Sequence, residues 1–104
     1  MLKLIFSVEP PIITRKFNAS SCKAGDRVVL ECEYSGSEPD VNWYRNGSPI
    51  VNAGQVQIVN DLGYTALVIP SAQHLSSTGT YSVEIKNDSG SASNAAALSV
   101  EGRV

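Results

Sequence analysis

Residues able to do nucleophilic, acid–base or metal chemistry are few in this chain. Its 104 residues include one histidine, His74, and two cysteines, Cys22 and Cys32. His74 lies in the polar stretch "SAQHLSST", so a Ser–His pair can be drawn on paper. A hydrolytic triad needs a third, orienting group in fixed geometry, and neighbours within one loop supply neither. The stretch reads as a surface connection carrying a loop histidine. A structural zinc site wants four ligands at characteristic spacings, and two cysteines with one histidine fall short. Glycine-rich phosphate loops are missing too, because "GSEPD" and "NDSG" are turn sequences. The sequence therefore predicts no catalytic residue, no metal, no cofactor and no enzyme.

Composition narrows the partners. A formal charge of -2 and scattered basic residues give no electrostatic reason for nucleic-acid binding. The aromatic pair Trp43-Tyr44 has no basic stripe beside it, as a single-stranded nucleic-acid groove would need. No apolar run is long enough for membrane insertion. Hydrophobic content of 42% with 17% charged residues is that of a globular chain, and the length suits one domain with one core. "MLKLIFS" is too short for a signal-peptide core and lacks a cleavage site, so residues 1–8 read as linker. Residues 9–101 read as the domain and 102–104 as linker, a module cut from something longer.

The elements that must carry any function are strands. Turn signals recur at Pro10-Pro11, Gly25-Asp26, Ser35 to Pro39, Asn46-Gly47, Asn60 to Gly63 and Asn87 to Gly90. Between them, "DRVVLECEY" puts Val28, Leu30, Cys32 and Tyr34 on one face and Arg27, Glu31 and Glu33 on the other. "VNWYRNG" sets Val41 and Trp43 against Asn42 and Tyr44, and "TYSVEIKN" sets Tyr81, Val83 and Ile85 against Ser82, Glu84 and Lys86. Period-two alternation of this kind marks antiparallel strands with one buried face. "YTALVI" is apolar on both phases and leaves its register open, while Leu98 and Val100 mark the buried phase of the last strand. Asn46-Gly47 suits a type I′ hairpin turn, and Asn87 to Gly90 a second hairpin with Gly90 in the left-handed region. Seven or eight short strands make an all-β, two-sheet antiparallel sandwich.

Those residues carry a family resemblance. "AGDRVVLEC" into Cys32, "NWYRNG" around Trp43, "TALVIPSA" with Leu67, and "GTY" at Tyr81 follow in the order of an intermediate-set (I-set) immunoglobulin domain. The Asn87-x-x-Gly90 turn and the closing "LSV" extend the likeness over nearly the whole chain. The chain departs from the pattern twice. The family usually has Asp four residues before the corner tyrosine, where this sequence has Ser77. It usually has Cys two residues after that tyrosine, where this sequence has Val83.

The second departure bears on location. A chain of this pattern lacking the inter-sheet disulfide resembles the intracellular domains of the giant muscle and cytoskeletal titin, obscurin and twitchin families. In reducing cytosol such bonds rarely persist, and a free Cys32 behaves as a small hydrophobe beside Val83. Cys22 is a poor substitute partner. Cys32 lies six residues beyond the Gly25-Asp26 turn, about 20 Å along its strand, whereas a disulfide needs Cα atoms within about 7 Å. Both cysteines are expected as buried free thiols. Cys32, Trp43, Leu67, Tyr81 and Val83 are expected at the centre of the core.

What the resemblance implies is a structural and protein–protein interaction module of a large cytoskeletal or sarcomeric protein, tension-bearing and cytoplasmic. Its partners would be cytoskeletal or sarcomeric proteins and neighbouring immunoglobulin or fibronectin-like domains. The alternative is an extracellular adhesion or receptor module, with glycans on Asn18, Asn46 or Asn87, each of which opens an Asn-x-Ser triplet. Two docking routes are expected. One is the outward face bearing Tyr44, Ser82, Glu84, Lys86, Ala95 and Ala97, where an exposed tyrosine stands among alanines. The other is strand addition at an edge, with the first strand blunted by Pro10 and Pro11 and the edges at Pro49 to Val51 or Gln55 to Asn60 open.

Overall fold

A computed structural model describes residues 8–52 and 54–102; residues 1–7 and 103–104, most of the expected linkers, lie outside the described residues. The described strands are β1 (Ile12–Arg15), β2 (Ser20–Lys23), β3 (Val28–Ser35), β4 (Asp40–Arg45) and β5 (Ser48–Pro49). They continue with β6 (Gln57–Asp61), β7 (Tyr64–Ile69), a single helical turn α1 (His74–Ser77), β8 (Gly79–Asn87) and β9 (Gly90–Glu101). One sheet runs β1-β3-β7-β6 and the other β2-β9-β8-β4-β5, a two-sheet sandwich as expected. Nine strands rather than seven or eight arise because the first expected strand divides between the sheets and a two-residue β5 extends the second. β1 pairs antiparallel with β3, whereas β2 pairs parallel with β9, Ser20 opposite Leu98 through Lys23 opposite Glu101.

The core forms where the inward phases of the two sheets meet. Val28, Leu30 and Cys32 alternate inward along β3, and Tyr81, Val83 and Ile85 along β8. Strand β7 lies between β3 and β6, which explains its two apolar phases. Leu67 and Ile69 join the core, while Ala66 and Val68 turn outward and are still buried under neighbouring side chains. Trp43, Leu67, Tyr81, Val83 and Cys32 are all buried. The indole Nε1–H of Trp43 donates to Thr65 Oγ1 across the sandwich at 2.9 Å, and Thr65 Oγ1 donates on to Asn60 Oδ1 at 2.7 Å. The Tyr81 hydroxyl donates to the Ser77 carbonyl at 2.6 Å, closing the tyrosine corner over α1.

Two core groups were not anticipated from the sequence. Phe17, in the β1–β2 connection, packs its ring 5.3 Å from that of Trp43. Asn94, on the inward phase of β9, accepts from Phe17 N at 2.9 Å and donates to Phe17 O at 3.3 Å. A buried amide thus satisfies the backbone where the first strand leaves one sheet for the other.

The turns fix the two poles. Asn46 and Gly47 have φ of 50° and 81°, the left-handed pair that a type I′ turn requires. Gly90 differs from expectation, since its φ is not positive. The Asn87 side chain accepts from Ser89 N at 2.9 Å and so holds that hairpin without a left-handed residue. Gly90 leaves room instead, because a Cβ there would stand 3.2 Å from the Pro10 side chain, a tight contact that Pro10 would have to relax. The segment before β1 meets the Ser35–Pro39 loop and the β8–β9 turn at the N-terminal pole, where the β6–β7 turn also lies. The end of β9 meets α1 and the Gly25-Asp26 turn at the C-terminal pole.

Candidate protein-docking surface

Strands β4, β8 and β9 lie side by side, and their outward side chains form rows across the sheet. Tyr44 stands between Pro49 of β5 and Ser82 of β8, and Ser82 is opposite Ala95 of β9. The next row is Asn42, Glu84 and Ser93, followed by Asp40, Lys86 and Ser91, with Thr80 and Ala97 at the other end. Register therefore brings Tyr44, Glu84, Lys86, Ala95 and Ala97 onto one face. Ala95, Ala97 and Lys86 are exposed, but Tyr44 and Glu84 are half-buried. The tyrosine expected to be exposed is only partly so, because its ring lies within a continuous row. The face is rich in small residues and mixed in charge, suited to a partner that covers the tyrosine.

The sheet edges are β1 and β6 in one sheet and β2 and β5 in the other. β1 carries an irregularity between Ile13 and Arg15 and follows two prolines, and β5 is two residues ending in Pro49. Both features obstruct strand addition. β6 has neither; it begins two residues later than expected and ends at Asp61. The Ile58 N–H points away from β7 and donates to the Asn52 side chain at 3.2 Å.

Of the residues weighed for chemistry, Cys22 and His74 border one open cavity at the C-terminal pole, whereas Cys32 lies in the core. His74 sits in α1, its Nδ1 2.6 Å from the Val100 carbonyl, so Nδ1 carries a hydrogen and the ring serves as a tie to β9. Among the described residues no group of three or more His, Cys, Asp or Glu could hold a metal ion. No helix among them is long and apolar enough to cross a membrane. Both cysteines are free. Cys32 has no exposure and burial raises its thiol pKa, with Glu33 adding to the effect. Cys22 was expected to be buried and is only half so, because β2 is an edge strand; burial and then Asp26 raise its pKa too. The thiols lie in opposite sheets.

The Asn-x-Ser triplets also differ. Asn87 Nδ2, the atom a glycan would take, donates to Glu9 O at 2.7 Å and Ser37 O at 3.0 Å. Asn46 Oδ1 accepts from Thr80 N at 2.9 Å within a tight turn. Asn18 is exposed between β1 and β2.

Comparison with known proteins agrees with this architecture. Muscle M-line assembly protein unc-89 of Caenorhabditis elegans is 35% identical over 100 residues, which is 92% of this chain and 1% of that protein. Palladin of Mus musculus is 31% identical over 93 residues, 88% of this chain and 7% of that protein. The chain thus spans a small fraction of the curated relatives it matches. The crystal structure of the titin domains z1z2 in complex with telethonin superposes with a TM-score of 0.89 at 29% identity, over 94% of this chain and 50% of that one. The Immunoglobulin I-set domain profile matches residues 11–100, nearly the whole described sandwich. The chain belongs to the immunoglobulin I-set domain family.

Proposed function

We propose that this chain is a tension-bearing spacer and protein-docking module of a large modular muscle or cytoskeletal protein, working in cytosol and without enzymatic activity. The carrying observation is the core: Cys32 and Val83 both lie at 0% exposure where the family usually places a disulfide, and the thiol is free. A fold closed this way loses nothing in a reducing compartment. The muscle M-line and myosin-binding names among the relatives support the same setting. Of the alternative's three glycan positions, Asn87 is already engaged through Nδ2 and Asn46 through its side-chain oxygen, which weighs against an extracellular module.

The topology supports load-bearing. A force applied at the two termini pulls β2 and β9 along their length in opposite senses. Because they pair in parallel over Ser20 to Lys23, every rung is loaded together rather than peeled in turn. Docking is assigned to the Tyr44 face, with β6 as the competing edge.

Single-molecule pulling on a polyprotein of this chain tests the reading. The expected record is abrupt one-step unfolding, with a length gain of roughly 3.3–3.6 Å per residue of the sandwich, the same with and without reductant. Gradual extension at low force would contradict the load-bearing role.

A further inference from the structure

The two poles differ in charge, and each carries a leucine in the open. Leu62, in the β6–β7 turn at the N-terminal pole, is 95% exposed; Leu75, on α1 at the C-terminal pole, is 80% exposed. Leu62 borders an open groove of about 540 Å³ that is also lined by Glu38, Asp40 and Asp61 and by no cation. Glu9 and Asp88 lie at the same pole, where the cations among the described residues are Lys86, opposite Asp40, and Arg15, in the cross-strand row that ends at Asp61. Both ion pairs among the described residues belong to Arg15, so contact neutralises none of these carboxylates.

The opposite pole is built around Arg45. Its guanidinium donates to the Thr78 carbonyl from Nε at 3.2 Å and from Nη2 at 2.6 Å, and to the carbonyl of Leu75 at 3.0 Å. All its acceptors among the described residues are neutral carbonyls. Ser77 lines the same small cavity as Arg45, at the position where the family usually has Asp. The missing carboxylate leaves a half-buried positive charge hydrogen-bonded to the backbone of Leu75. Lys23 and Arg27 are exposed at this pole, against Asp26 and Glu101.

We propose that the C-terminal pole, Leu75 with the uncompensated Arg45, docks into the acidic groove around Leu62 on a second copy of this chain. Apolar contact between the leucines supplies attraction, and the opposed charges fix which pole meets which. The two patches are distinct, so the contact is head-to-tail and open-ended, not a closed dimer. It is a partner surface separate from the Tyr44 face and independent of the reading above.

Sedimentation of the whole chain over a concentration series tests it. At low salt the parent forms dimers and longer species up to millimolar concentration, and added salt weakens them, as expected for exposed charges. Leu62→Asp and Leu75→Asp each weaken self-association by roughly tenfold or more, and both keep the parent melting temperature because the side chains are in solvent. Mixed together they form a one-to-one dimer, since each retains the pole the other lacks. Ser77→Asp, which restores a carboxylate beside Arg45, weakens association while leaving Leu75 in place. A parent that stays monomeric at low salt overturns the proposal. So does a mixture of the two leucine variants that gains no dimer while the parent associates.

Discussion

Trp43 joins the two sheets by two means at once, an aromatic contact with Phe17 and an indole hydrogen bond to Thr65. Trp43→Ala removes both and leaves a cavity, so a loss of about 3–5 kcal/mol is expected in denaturant unfolding. That is a large share of the roughly 5–15 kcal/mol that holds an ordinary domain folded. Tyr81→Phe deletes only the hydroxyl that holds Ser77 O and should cost about 1–3 kcal/mol. Tyr81 also sets a pH dependence. Burial raises its pKa, with Arg45 opposing, so folding favours the neutral phenol. That contribution is complete below the unfolded value of about 10 and is lost as pH rises through the folded value. Tyr81→Phe should therefore flatten the alkaline limb of stability against pH, measured by urea titration at successive pH values. The alternation "YSVEI" and the lone tryptophan made the buried residues on β4 and β8 legible in the sequence. Phe17 and Asn94 were not, because one sits in an irregular connection and the other is a polar residue buried only by its bonds to backbone.

The strands differ in how fully local chemistry specifies them. β3, β4 and β8 alternate cleanly and were placed by periodicity. β7 carries apolar residues on both phases, and its register against β3, Leu67 opposite the inward Leu30, decides that Leu67 faces the core. The break between β1 and β2 has no strong turn signal, since it is made by a change of sheet. The Asn87 hairpin was legible as a turn but not in its mechanism, which is a side chain bonding backbone rather than a left-handed glycine. Element-scale predictions separate the two docking routes. With a partner in hand, Tyr44→Ala should weaken binding at the face by about 2 kcal/mol or more by calorimetric titration, and hardly alter pairing along β6. Ile58→Pro should do the reverse. It removes an N–H that serves Asn52 and not β7, but also the Ile58 side chain packed on the core, so its affinity is compared only after circular dichroism shows the variant folded. If neither variant changes the affinity, both surfaces are wrong.

As a whole molecule the chain is a sandwich that receives its peptide at one pole and releases it at the other, closed at its centre without a covalent bridge. Architecture, poles and missing disulfide could be read from turn spacing and from Val83 standing where the family usually has cysteine. The charge difference between the poles could not, because the carboxylates gathered around Leu62 come from separate turns that only the fold brings together. The central claim is that this core owes nothing to a disulfide, and thermal unfolding of the whole chain under oxidising and reducing conditions tests it most directly, with thiols counted before and after melting. The account predicts coincident transitions. Cys22, half-buried at the edge, should react slowly in the folded state, and Cys32 only after unfolding. An oxidised sample with an intramolecular Cys22–Cys32 bond, stabilised by the roughly 2–5 kcal/mol typical of a native disulfide, would contradict it.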